Sequence, residues 1–222
     1  MKGNVGMNLN YLGELFLQIG RYVPQTVGMA LAAMVIAIAL GALLTIMYSF
    51  KATNWFVRLY LLIFRGFPTL VILFVAYFGI PELLNTGSSV SPLAAAIFCF
   101  ALKEAAYLEE IFRSGLSSVD GGQVEAGRSL GLSNQKVYRF IVVPQAIRIM
   151  IPNIGNTFIG LLKETSLAFS IGVTELFGEG KLIASENFQY FEVYIVVGIW
   201  YVILILIYTI FQQFLERRYS QY

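Results

Sequence analysis

The side chains able to do chemistry in this chain are few, and they stand among apolar neighbours. Lys103-Glu104 lies in one apolar run, Lys163-Glu164-Thr165-Ser166 closes another, and Asn156 sits within it. An ionisable group at mid-bilayer costs about 2.5–3.5 kcal/mol on insertion scales, so such groups face protein or water. Lys103 follows Pro92 by eleven residues, or roughly 16 Å of helix, which is near mid-membrane. Two roles are open to it. It can meet a substrate carboxylate while Glu104 or Glu164 takes an ammonium group, or it can belong to an ion pair that only joins spans. Adjacent helical residues point about 100° apart, so Lys103 and Glu104 are each expected to need a separate partner, Glu164 being the candidate for Lys103. Asn156, after the break at Pro152, reads either as cavity lining or as an interhelical hydrogen-bonding group.

Several chemistries are excluded. There is no His, hence no imidazole triad or proton relay. The single cysteine, Cys99, allows neither a disulfide nor a CxxC metal site. Ser166 and Lys163 are spaced for a Ser–Lys hydrolase pair, but no GxSxG turn accompanies them. A net charge of +2 without a basic run points away from nucleic acid.

The elements that carry these residues belong to a membrane. Of 222 residues, 58% are hydrophobic and 13% charged, about half the charge of a soluble domain. Runs long enough to span lie at about 26–50, 55–77, 92–112, 146–170 and 194–214, within a single transmembrane domain over 1–222. The second is interrupted at Arg65-Gly66-Phe67-Pro68, read as a bend with a snorkelling arginine. Leu12, Leu15, Phe16 and Ile19 recur at helical spacing ahead of the first span, a pattern for an amphipathic helix in the interface. Tyr190, Phe191, Tyr194 and Trp200, with Trp55, Phe56 and Tyr60, read as interfacial belts. The fold class expected is an all-α membrane protein with five transmembrane helices.

Lys51, Arg58, Arg113, Arg128, Lys136, Arg139, Arg148, Arg217 and Arg218 fall on one side, against Lys2, Arg21 and Lys181 on the other. The excess marks the cytoplasmic face. The N-terminus is then outside, the C-terminus cytoplasmic, and the outer loops hold acids, Glu175 and Glu179 among them. Glu109 and Arg113, four apart, read as an ordinary surface pair.

The 113–145 loop carries helix punctuation. Asp120-Gly121-Gly122 is a turn, Gln123–Leu130 a short helix, Gly131 its stop, and Ser133 a cap for a second helix over Asn134–Val142. Two short helices joined at a glycine suit a projection that fits a groove in a partner, with Ala126 and Gly127 as a surface of close approach. A solvated linker is the plainer alternative.

Within this loop Glu125-Ala126-Gly127-x3-Gly131, followed by Ile141-x-Val143-Pro144, resembles the EAA motif of ABC-importer permeases. Phe64-Arg65-Gly66-Phe67-Pro68, Ala106-Tyr107-x2-Glu110-Ile111-Phe112-Arg113, Pro144-Gln145-Ala146, Asn156-x-Phe158-Ile159 and Leu161–Leu167 are similar, in the same order, to segments of the polar-amino-acid branch of that family. Lys103-Glu104 departs from the usual Asn-Ser or Asn-Thr there. The resemblance implies a permease of a bacterial cytoplasmic membrane, importing a polar amino acid by alternating access. Its partners would be an ABC ATPase dimer, a second permease subunit (itself or a sister) and an extracytoplasmic solute-binding protein, which residues 178–191 could dock. Glu125, Ala126, Gly127, Arg128 and Gly131 would couple to the ATPase. Lys103, Glu104, Asn156, Glu164, Thr165 and Ser166 would bind substrate. No GxxxxGK[ST] phosphate loop is present, so ATP and Mg2+ would sit on the ATPase and this chain would bind no cofactor and catalyse nothing. The alternative is a passive channel or a structural membrane subunit.

Overall fold

The computed structural model describes residues 9–85 and 90–220, without the side chains of 219 and 220. Lys2 therefore lies outside the described residues, which are helical throughout with no strand among them. Helix α1 (Leu9–Gly20) leads through a short turn into α2 (Val23–Ser49), which has Pro24 in its first turn, where a missing N–H costs nothing. Helix α3 (Lys51–Gly66) ends before Pro68 because the residue preceding a proline is held extended, as Phe67 is at ψ 137°. Helix α4 (Thr69–Phe74) starts anew at 106° to α3 and passes through a wide turn into α5 (Ile80–Leu83). Ser91 caps α6 (Pro92–Ser117), its hydroxyl accepting the Ala94 N–H at 3.2 Å. Short helices α7 (Gly121–Ser129) and α8 (Asn134–Val137) precede α9 (Val143–Glu164). A tight 165–171 segment, α10 (Leu176–Asn187) and α11 (Tyr190–Ser220) complete the chain.

Small residues set the central packing. Ala33, Ala37 and Gly41 recur every four residues on α2, are buried, and let α2 lie against α6. A Cβ on Gly41 would come within 2.9 Å of the Leu108 Cβ and 3.2 Å of the Ala105 carbonyl oxygen. The main core gathers around this contact, with Phe100, Leu73, Leu161 and Leu162 filling it.

Helix α1 is the expected amphipathic helix, and its buried face, Leu15 and Ile19, packs on protein. Three expectations need correction. Trp200, assigned to an interfacial belt, stacks on Phe16 at 4.2 Å and donates its indole N–H to the Phe16 carbonyl at 2.9 Å. Helix α9 runs unbroken through Pro152, as helices packed against others in membranes can. Its Pro152 carbonyl accepts from the Gln212 amide at 3.2 Å. Glu175 is no solvated loop acid, for it is fully buried. It caps α10 by accepting the Gly178 N–H at 2.9 Å, and it accepts the Tyr201 hydroxyl at 2.8 Å and that of Thr26 at 3.4 Å. Thr26 in turn accepts the Leu176 N–H at 3.1 Å. One carboxylate thus ties α2, α10 and α11 together. Glu175→Ala would strand these donors, at about 1–3 kcal/mol for a buried unsatisfied group. The expected result is a melting temperature of the purified protein lower by several degrees, while Glu179→Ala, which removes a half-buried carboxylate that accepts from the Gln18 amide, shifts it much less.

Among the described residues two helical units are long and apolar enough to cross a bilayer, 9–49 and α11, and the bent α3–α4 pair is a third if its halves form one span. Helices α6 and α9 have 26 and 22 residues, and both carry charge. That charge is where the candidate site lies.

Candidate functional site

Lys103 and Glu104 stand halfway along α6 and are 8% and 4% exposed. Glu164 is the last residue of α9, which brings its carboxylate across to α6. Lys103 Nζ lies 2.5 and 2.7 Å from the two Glu164 oxygens, so the expected partnership is present. The same ammonium also reaches Glu104 Oε1 at 3.1 Å. This corrects the expectation that neighbours 100° apart would part company, because four methylenes let the ammonium swing back over its own helix. Thr69, at the start of α4 just beyond the Pro68 break, donates its hydroxyl to Glu164 Oε2 at 3.3 Å. Lys103 Nζ also sits 5.1 Å from the centre of the Tyr107 ring, within cation–π range. One cation between two carboxylates leaves the cluster with an excess negative charge, at a depth where an uncompensated ion is costly.

The other expected substrate residues do not join it. The Thr165 hydroxyl donates to the Leu162 carbonyl and that of Ser166 to the Lys163 carbonyl, both at 2.8 Å. These bonds serve the tightening of the chain after Glu164. Asn156 is exposed and stands eight residues before Glu164, about 12 Å along the axis.

Below Lys103, Arg65 forms an ion pair with Glu110, and Arg113 Nη2 approaches Glu110 at 3.9 Å. Arg65 is therefore no snorkelling side chain. Glu109 is fully buried, against the expected surface pair, and Arg113 Nε approaches it at 3.3 Å. The sequence reading gives Thr69, Tyr107 and Glu110 no role and Arg65 only that of a snorkelling side chain, although all four lie in or beside the segments that match the family pattern.

The second region is the α7–α8 turn. Asp120 caps α7 by accepting the Gly122 N–H at 2.8 Å. Helix α7 ends in paired bonds from Leu132 N–H to the Gly127 carbonyl (3.2 Å) and from Gly131 N–H to the Arg128 carbonyl (2.9 Å). This is a Schellman ending, which places Gly131 at φ +77°. Glu125, Ala126, Arg128 and Gly131 are exposed, and Arg128 Nε donates to Asn134 Oδ1 at 3.0 Å, bracing α7 on α8. Gly127 is buried, facing Val137 and Ile141 of its own chain, so it cannot present a partner surface. The expected second helix also differs: only 134–137 is α-helical, and a wide turn over 138–142 merges it with α9.

The charged cluster of α6 and α9 thus stands in a helical membrane protein, beside an exposed helical turn at one end. Residues 12–221 match the family model described as binding-protein-dependent transport system inner membrane component, and the chain belongs to that family. It is 50% identical over 200 residues to the probable amino-acid permease protein YxeN of Bacillus subtilis (strain 168), covering 89% of each chain. It is 36% identical to the L-cystine transport system permease protein TcyL of the same organism, over 95% of this chain and 91% of that one. Among solved structures it is similar to an amino acid ABC transporter crystallised with histidines, with TM-score 0.84, 31% identity, and 95% and 96% of the two chains covered. The chain is thus a permease subunit of an ABC importer, whose ATPase is a separate partner.

Proposed function

We propose that this permease carries a polar, zwitterionic amino acid across a bacterial cytoplasmic membrane by alternating access, with the Lys103–Glu104–Glu164 cluster and Thr69 as the substrate contacts. The observation that carries this reading is a buried cation bracketed by two carboxylates. A zwitterion brings one group of each sign and can exchange into such a cluster without leaving an ion unpaired. The relatives named for amino-acid and cystine transport, and the histidine-bound structure, support the substrate class. We further propose five spans: the 9–49 unit, α3–α5, α6, α9 and α11. The N-terminus is outside and the C-terminus cytoplasmic, following the distribution of Lys and Arg.

In this arrangement α7 and α8 dock in a cleft of a cytoplasmic ATPase dimer, which holds the ATP and Mg2+. Leu130 and Phe140 are 82% and 66% exposed on this turn, and they supply the apolar part of that contact around Glu125, Ala126, Arg128 and Gly131. A second permease subunit completes the pathway. At the other end, a groove of about 400 Å3 lined by Glu14, Arg21, Tyr22 and Glu179 offers a charged surface to a solute-binding protein.

The excess negative charge sets a preference. Amino acids with a neutral or cationic side chain are expected to be taken up, and acidic ones to be disfavoured at least tenfold, equivalent to about 1.4 kcal/mol. Uptake into proteoliposomes holding permease, ATPase and binding protein, with unlabelled amino acids as competitors, measures this. Equal transport of acidic substrates would remove the assignment of the cluster as the binding site.

A further inference from the structure

Below the Lys103 cluster the same chemistry occurs a second time. Arg65, the penultimate residue of α3, pairs with Glu110 of α6. Lys103 and Glu110 are seven residues apart, which places them within about 20° on one face of α6 and about 10 Å apart along it. Tyr107 lies between them on that face, and its ring is shared. Its centre is 5.1 Å from Lys103 Nζ and 5.5 Å from Arg65 Cζ. The order along the face is Glu164, Lys103, Tyr107, Arg65, Glu110: two cation–carboxylate pairs on either side of one aromatic ring. The break between α3 and α4 serves both pairs, with Arg65 before it on Glu110 and Thr69 after it on Glu164. The two pairs differ in access. The Lys103 and Glu104 side chains are 10% and 6% exposed, those of Arg65 and Glu110 39% and 41%.

We infer that Arg65 and Glu110 form a second binding station for the transported zwitterion, on the α7 side of the Lys103 cluster, with Tyr107 as the rail between the two. The inference rests on the reading of the Lys103 cluster as a substrate site. At the lower station the guanidinium presents two parallel N–H groups to the substrate carboxylate, and Glu110 accepts from the ammonium. A half-exposed ion pair contributes little stability, so exchanging its partners for those of the substrate is inexpensive. Arg113, 3.9 Å from Glu110, holds that carboxylate in place while Arg65 is engaged.

The competing role for this pair is a latch that only fixes the bend, and the complete transporter in proteoliposomes separates the two. Arg65→Gln is expected to lower amino-acid uptake per ATP hydrolysed about tenfold, the worth of roughly one charge-assisted hydrogen bond. Arg65→Lys, which keeps the charge but not the fork, should fall between, and it supplies the measurement if the glutamine variant fails to assemble. In the charge-swapped Arg65→Glu/Glu110→Arg protein the bend is latched again but the guanidinium comes from α6, and uptake per ATP should stay low. Wild-type uptake in the swapped protein, or in Arg65→Gln, overturns the second station. Impaired uptake in Lys103→Asn beside normal uptake in Arg65→Gln removes this station alone, whereas normal uptake in Lys103→Asn removes the upper cluster on which it rests.

Discussion

Lys103→Asn is expected to reduce uptake by the assembled transporter by about two orders of magnitude. The side chain pairs with Glu164 at 2.5 Å and Glu104 at 3.1 Å. Its removal leaves two carboxylates facing each other without a cation. Breaking a buried pair in this way costs about 3–5 kcal/mol, and about 2.7 kcal/mol is already a hundredfold in an equilibrium. Part of that loss is structural, so the single variant does not separate binding from assembly. Lys103→Asn combined with Glu164→Gln removes one charge of each sign and keeps the volume at position 164. This pair should assemble with the ATPase and still fail to transport, because neither the carboxylate nor the ammonium of the substrate finds its counterpart. Co-purification reports the first property and uptake the second. If the double variant transports with unchanged apparent affinity, the cluster is only a structural link between α6 and α9.

Gly127→Leu is expected to impair binding-protein-stimulated ATP hydrolysis and transport together. A Cβ at Gly127 would already lie 3.0 Å from Ile141 Cδ1 and 3.1 Å from Val137 Cγ2, so the rest of a leucine side chain has no room. Forcing extra methylenes into packed surroundings costs about 1–3 kcal/mol. The least costly escape is to lift α7 off α8 and the start of α9. The exposed groups on α7 then lose their spacing from those on α8, a geometry that the Arg128–Asn134 bond otherwise maintains. Binding-protein-stimulated ATPase activity should fall about tenfold, and uptake with it, while Gly127→Ala should be far milder. Ala126→Leu gives the contrast, because Ala126 is exposed and the larger side chain meets only a partner. Normal coupling in Gly127→Leu would show that the α7–α8 spacing does not transmit the motion.

Much of this is legible in the sequence. The uncharged run between Pro24 and Phe50, and the apolar one that Pro92 opens, need no tertiary information to be read as helices, because a bilayer admits few alternatives. The end of α7 at Gly131 was equally legible, since a left-handed residue there requires glycine. The Lys103–Glu164 pairing followed from cost alone: two opposite charges in apolar runs have few other places to go. The pattern failed where the answer depended on how a helix is rotated or how far a side chain bends. Glu109 and Glu110 are adjacent, and only the seating of α2 against α6, governed by Gly41 and Ala37, buries the first and leaves the second half-exposed for Arg65. Gly127 reads from sequence as a surface for a partner because a bare glycine marks a close approach without saying to what.

The charged residues with which the sequence confronts the reader therefore divide in two. By itself the sequence determined that this chain is a helical membrane protein and that Lys103, Glu104 and Glu164 cannot be left unpaired within it. Burial in an apolar phase forces these outcomes whatever the packing. Only the tertiary structure decided that one ammonium serves both carboxylates, that Thr69 joins them across a proline break, and that Arg65 and Glu110 repeat the arrangement lower on α6. Those contacts join residues far apart in the chain, and their geometry depends on helix rotation and bend angle, which small residues and a proline set together.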